Sequence, residues 1–177
     1  ANPEGPPTVM LWGPPGCGKS AIVKQVAQER KWGMIDIRLL LLNPVDLRGI
    51  PVPDRENNVA QWFPAGFLPR VEKHGEEGIL FLDEINAAPP SVQAAAYQLT
   101  LDRKCGEYEL PPGWRVIAAG NRTSDRGVVS KMPSPLANRM VHFEVEPSIE
   151  DWRGWAYTHH VHPQVISFLS YKADKLW

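Results

Sequence analysis

The sequence predicts a three-layer α/β domain built on a mostly parallel sheet, and three observations carry that expectation. Strand-like apolar runs alternate with helix-patterned segments along most of the chain. Two of the runs, GILFLDE (78–84) and WRVIAAGN (114–121), are largely apolar without alternation, as expected of strands covered on both faces. Between a first run ending in VMLW and the first helical segment lies GPPGCGKS (13–20), a glycine-rich loop at a strand-to-helix junction.

Taken in order, residues 8–12 are a short, dense strand candidate and 13–18 a loop. Residues 20–30 read as a helix with Ile22, Val23, Val26 and Ala27 on one side. MIDIRLL (34–40) reads as a second strand. From 41 to 70 the chain is rich in Pro, Asn and Gly, which predicts loops and short turns. So long a stretch in a compact domain points to a functional insertion. After the strand at 78–84, Pro89 and Pro90 suit a helix start, and Val92, Ala95, Ala96 and Leu99 continue at helical spacing. KCGEYEL (104–110) suggests a turn and an edge strand, and 114–121 another buried strand. NRTSDRG (121–127) opens a polar link, SPLANRM (134–140) reads as a helix and VHFEV (141–145) as the last strand. Ser148 is placed to cap a helix through EDWRGWAYTHH (150–160). Pro163 is placed to open another containing Val165, Ile166, Phe168 and Leu169.

Composition narrows the class. The 177 residues are 43% hydrophobic and 22% charged, and 19 basic residues against 20 acidic ones give a formal charge of -1. That balance argues against a broad basic footprint for nucleic acid. Cys17 and Cys105 form no CxxC pair, so the expected setting is reducing and cytoplasmic. No apolar run approaches membrane-spanning length, and no membrane insertion is expected. The start almost on top of a strand and the stop at YKADKLW, just after a helical pattern, suggest a piece of something larger.

The chemistry starts at GPPGCGKS, which fits GxxxxGK[ST] at every fixed position. Gly13, Pro14, Pro15, Gly16, Cys17 and Gly18 form a loop whose backbone N–H groups can curl around phosphate oxygens. Lys19, Ser20 and Ala21 then open a helix whose N-terminus favours an anion. Lys19 supplies a mobile positive charge for the β- and γ-phosphates, and the Ser20 hydroxyl suits Mg²⁺. Asp83, at the end of a buried strand, can reach the same Mg²⁺ through its water shell. Its neighbour Glu84 is placed to polarise an attacking water. Asn121 ends the next buried strand with a neutral amide that can bond a γ-phosphate or the water without adding charge.

The ordered set GPPGCGKS, ILFLDE, AAGN and SPLANRM resembles the AAA+ ATPases, and among them the MoxR-like group. The resemblance implies a P-loop NTPase core with sheet order 5-1-4-3-2 over residues 1–147. Residues 148–177 would be C-terminal helices leading into a helical lid that is mostly absent. It also implies ATP hydrolysis with Mg²⁺ that drives remodelling or activation of a client protein in a homo-oligomeric, hexameric ring. Asn121 matches the sensor-1 position, and Arg139, three residues after Leu136, matches the arginine finger that one subunit inserts into its neighbour's site. Two other readings stand beside this one: a DNA-acting motor or helicase loader, and a module that binds ATP to order an interface without hydrolysing it.

Several features keep two readings at this level. Arg122 and Arg126 suit an interface or phosphate contact, or a solvated loop. The 43–54 segment either meets a substrate through Leu47 and Ile50 or packs as a structural insertion. Trp62, Phe63, Phe67 and Leu68 either join that contact or form a satellite core under the loop. His159, His160 and His162 lack the companions of a metal site, and Trp152, Trp155, Ala156 and His159 read as a packed helix face. Cys17, among loop N–H groups, is open to redox inhibition or is a small filler.

Overall fold

The computed structural model describes residues 5–122, 132 and 137–176. In chain order these form β1 (Val9–Trp12), α1 (Lys19–Arg30), β2 (Gly33–Arg38), α2 (Pro44–Arg48), β3 (Ile50–Asp54) and β4 (Val59–Phe63). There follow α3 (Val71–His74), β5 (Gly78–Asp83), α4 (Pro90–Asp102), β6 (Lys104–Cys105), β7 (Tyr108–Glu109) and β8 (Trp114–Gly120). The chain closes with β9 (Val141–Glu144), α5 (Ile149–Thr158) and α6 (Pro163–Tyr171). Arg126 and the first three residues of the expected helix at 134–140, Leu136 among them, lie outside the described residues.

Five strands pair in the order β2-β5-β8-β1-β9, with every neighbour parallel. Numbered among themselves along the chain, they read 5-1-4-3-2 from the β9 edge, the order expected. The continuous apolar runs became central strands: in β5 every residue before Asp83 is buried. One sheet face carries Met10, Ile37, Leu80, Leu82, Val116 and Ala118 against Val92, Ala96 and Leu99 of α4 and Leu47 of α2. The other places Ile79, Phe81 and Ala119 against Val23 and Ala27 of α1. Helix, sheet and helix make the three layers.

Some local expectations are corrected. Only Val23 and Ala27 of α1 reach the sheet, while Ile22 and Val26 remain 45% and 39% exposed. The small Ala27, one turn beyond Val23, marks a narrow seam, and its neighbours fall on the flank. The 41–70 stretch holds a short helix and an antiparallel β3–β4 hairpin rather than loops and turns alone. Pro51 and Pro53 hid that hairpin. Two positions apart, they share one side of a two-stranded ribbon, where missing N–H groups face away from the partner strand. The KCGEYEL segment is a small separate hairpin, β6–β7, not an edge of the main sheet.

Ser148 does cap its helix, its hydroxyl accepting from the Asp151 N–H at 3.2 Å. The packed face expected on α5 shrinks to Ala156, since Trp155 is nearly half exposed and stacks on His159 at 4.4 Å. Ile166 alone of the expected α6 quartet is buried. Among the described residues no group of His, Cys, Asp or Glu is arranged to hold a metal ion, and no helix is long and apolar enough to cross a membrane.

The two kinds of apolar position should separate in denaturation. Leu80→Ala, which opens a cavity at a fully buried site, should lower unfolding free energy in urea by about 2–5 kcal/mol. Ile22→Ala should change it by less than about 1 kcal/mol.

Candidate phosphate-binding site

Three neighbouring strands deliver the site from their carboxyl ends, where open α/β sheets leave a crevice. β1 runs into the glycine loop, β5 ends at Asp83 and β8 ends just before Asn121, with β8 hydrogen-bonded between the other two. A cleft of about 260 Å³ opens there, lined by Pro15, Gly16, Gly18, Lys19, Ser20, Ala21, Asp83, Glu84, Gly120 and Asn121. Residues remote in sequence are thus brought to one cavity. Gly13, Pro14 and Cys17 do not line it.

The loop's conformation explains its composition. Gly16 and Gly18 adopt φ of +83° and +93°, left-handed values that favour glycine, and a Cβ on either would meet only open space. Gly18 then caps α1 without any side-chain bond, and the first turn of the helix carries no acidic residue. The first N–H groups of α1 are therefore free of a competing carboxylate, and the helix dipole points its positive end at the cleft.

Lys19 is only 8% exposed. Its ammonium donates to the carbonyls of Gly13 at 2.8 Å and Pro14 at 2.9 Å, and to Asn121 Oδ1 at 3.2 Å. Gly13 and Pro14 therefore serve by holding Lys19. Cys17 Sγ lies 3.9 Å from the same ammonium. The Ser20 hydroxyl donates to Asp83 Oδ2 at 3.1 Å, while Asp83 Oδ1 accepts from the Glu84 N–H at 2.9 Å. A hydroxyl and a carboxylate so paired offer the oxygen donors a hard divalent cation takes. Glu84 sits at φ 58°, an uncommon backbone setting for a non-glycine residue, and lines the cleft half-buried.

One residue at the site and one outside its lining were not anticipated. The Asn86 carboxamide is buried and pairs reciprocally with the backbone of Asn121. Gly120 permits this, because a Cβ there would stand 2.5 Å from Asn86 Oδ1. The glycine directly before Asn121 was the one available hint. Asp36 of β2 is exposed and does not line the cleft, but it lies across from Phe81, on the face that carries Asp83. Partial desolvation and then the Asp83 charge push its carboxyl up from the ordinary range, with Arg38 opposing them.

The remaining candidates fall elsewhere. Arg139 is exposed ahead of the edge strand β9 and does not line its own chain's cleft. Arg122 stands 3.6 Å from both Glu144 and Glu146, so it is engaged at the end of β9 rather than solvated. Leu47 is fully buried and cannot meet a substrate, whereas Ile50 is exposed on the hairpin. Of the supposed satellite core only Leu68 is buried, and Trp62, Phe63 and Phe67 face outward.

The family of ATPases associated with various cellular activities (AAA) matches residues 9–147. An uncharacterized AAA domain-containing protein of Schizosaccharomyces pombe is 36% identical over 123 residues, 66% of this chain and 14% of that protein. Cell division protein C of Sulfolobus acidocaldarius is 33% identical over 82 residues, 46% of this chain and 20% of its own length. The ribosome biogenesis ATPase RIX7 of Saccharomyces cerevisiae is 33% identical over 85 residues, 48% of this chain and 9% of its own. The chain thus spans a fifth or less of these relatives. Among solved structures, a candidate ATPase of Cytophaga hutchinsonii shares the fold at TM-score 0.61 and 18% identity, over 89% of this chain and 47% of that one. The P216G mutant of Thermotoga maritima RuvB does so at 0.54 and 19%, over 84% and 42%.

Asp36, outside the cleft, gives the fold a measurable pH signature. Because its carboxyl is raised in the folded chain, the unfolded chain loses that proton first, and folding becomes less favourable as pH rises through the interval. Asp36→Asn should therefore raise the thermal midpoint at neutral pH. The gain should vanish near about pH 3, where the carboxyl is neutral in both states.

Proposed function

The chain belongs to the AAA family of ATPases, and from that premise we propose that it hydrolyses ATP with Mg²⁺ to remodel or activate a partner protein within a ring of its own copies. The observation that carries the reading is the convergence of Lys19, Ser20, Asp83, Glu84 and Asn121 on one cleft beside the glycine loop. The loop amides and the start of α1 would cradle the phosphates. Lys19 would exchange its carbonyl partners for phosphate oxygens, and its charge would offset the charge gathered in the transition state. Ser20 and Asp83 would hold Mg²⁺, which would supply Lewis-acid stabilisation of phosphate charge. Glu84 would orient and polarise the attacking water, and the Asn121 amide would contact the γ-phosphate.

Arg139 supports the ring reading by its place. It is a cation on the surface beside an edge strand, among the described residues without an ion pair, and away from its own cleft. Supplied to a neighbouring copy, that charge would make hydrolysis depend on assembly. Residues 1–147 would then be the nucleotide core and 148–177 the helices that lead toward a lid. A hexamer and a MoxR-like client in the cytoplasm are the finer form of the same proposal.

Glu84→Gln keeps the shape of the side chain and removes its basicity. Turnover at saturating ATP should fall by about 10²–10⁴-fold, while ATP affinity measured by calorimetry stays within about two-fold. Lys19→Ala should weaken ATP binding by at least about ten-fold, the worth of one charge-assisted bond. A wild-type chain that turns over ATP no faster than Glu84→Gln would leave only a nucleotide-dependent interaction module.

A further inference from the structure

We propose that Asn86 is a positioning residue that holds Asn121 in place against Lys19 and ties it to Glu84. The inference rests on the hydrolytic reading of the cleft and names a part that reading does not use. Asn86 is 2% exposed and sits two residues after Glu84. The turn between β5 and α4 is closed on Glu84, whose carbonyl accepts from the N–H groups of Ala87 at 3.0 Å and Ala88 at 3.2 Å. Within the same turn the Ile85 N–H donates to the Ala119 carbonyl at 3.0 Å, joining the turn to β8 beyond the last ladder pair.

From this rigid base the Asn86 carboxamide meets the backbone of Asn121 at both of its polar groups. Nδ2 donates to the Asn121 carbonyl at 2.8 Å, and Oδ1 accepts from the Asn121 N–H at 3.3 Å. An amide side chain is suited to this, having one acceptor end and one donor end at the spacing of a peptide unit. The main chain of Asn121 is therefore held without using its side chain, whose Oδ1 remains turned to Lys19. Gly120 is part of the arrangement, since any Cβ there would strike Asn86 Oδ1.

The consequence is mechanical. Glu84, which would face the water, and Asn121, which would face the γ-phosphate, stand on two different strands. Asn86 makes the turn behind one the anchor of the other, so a shift of Asn121 on meeting a γ-phosphate must be felt at Glu84. ADP, which lacks that phosphate, exerts no such pull.

The test compares Asn86→Ala and Asn86→Ser with the wild-type chain, after thermal unfolding has shown which variants are folded. The expected result is a kcat lower by at least about ten-fold, with Kd for ADP within about two-fold, because the loss falls on the γ-phosphate contact and its orientation rather than on the cradle. The preference for a non-hydrolysable ATP analogue over ADP should shrink as well. A folded variant with wild-type kcat and wild-type ATP preference overturns the proposal. So does a parallel loss of kcat, ATP binding and ADP binding, which would mean general damage. If the wild-type chain prefers the analogue but shows no turnover, hydrolysis fails while Asn86 is judged on that preference alone. A wild-type chain with neither property overturns both.

Discussion

The buried ammonium of Lys19 is the constraint around which the functional end of this protein is arranged. A charge withdrawn from water costs several kcal/mol unless every donor finds an oxygen. Here three oxygens answer: two carbonyls of the loop after β1 and the amide of Asn121 after β8. One cation therefore joins two strand ends, and both must be correctly placed for the charge to be tolerated. On the proposed reading, a phosphate in the cleft would take the place of the carbonyl oxygens at the ammonium, so the contacts that hold the loop would be the ones a ligand replaces.

Satisfaction of polar groups extends outward from that charge. Ser20 and Asp83 pair with each other, Asp83 accepts from the Glu84 N–H, and Asn86 engages the backbone of Asn121. Arg122 continues the chain to Glu144 and Glu146 at the far side of β1. Each half-exposed ion pair there contributes little to stability. Their position matters more, because they link the residue after Asn121 to the segment that runs from β9 into α5.

The insertion between β2 and β5 shows a division of labour that residue type alone concealed. Leu47 and Leu68 are fully buried and fasten the insertion to the α4 face of the sheet. Ile50, Val59, Trp62 and Phe63 lie on an exposed hairpin. All are apolar residues in one Pro-rich stretch, and hydrophobicity does not distinguish those that anchor from those that face outward. The β3–β4 ribbon was equally hidden, since alternate prolines look like a loop until a partner strand shows which side of the backbone needs its N–H groups.

The sequence by itself determined the glycine-rich loop and the central strands, while the strand order followed from the resemblance to the AAA+ ATPases. The loop was legible because its chemistry is local: glycine positions, a lysine and a hydroxyl must follow one another at fixed spacing. The central strands were legible because burial on both faces leaves a continuous apolar run, seen in ILFLD and in VIAAG. The tertiary structure decided what depends on neighbours distant in the chain. It chose Val23 and Ala27 over Ile22 and Val26, buried Leu47, and paired Asn86 with Asn121 across 35 positions of sequence. Whether an apolar side chain faces the core, or an amide meets a backbone it can hold, is settled by what another segment places opposite it.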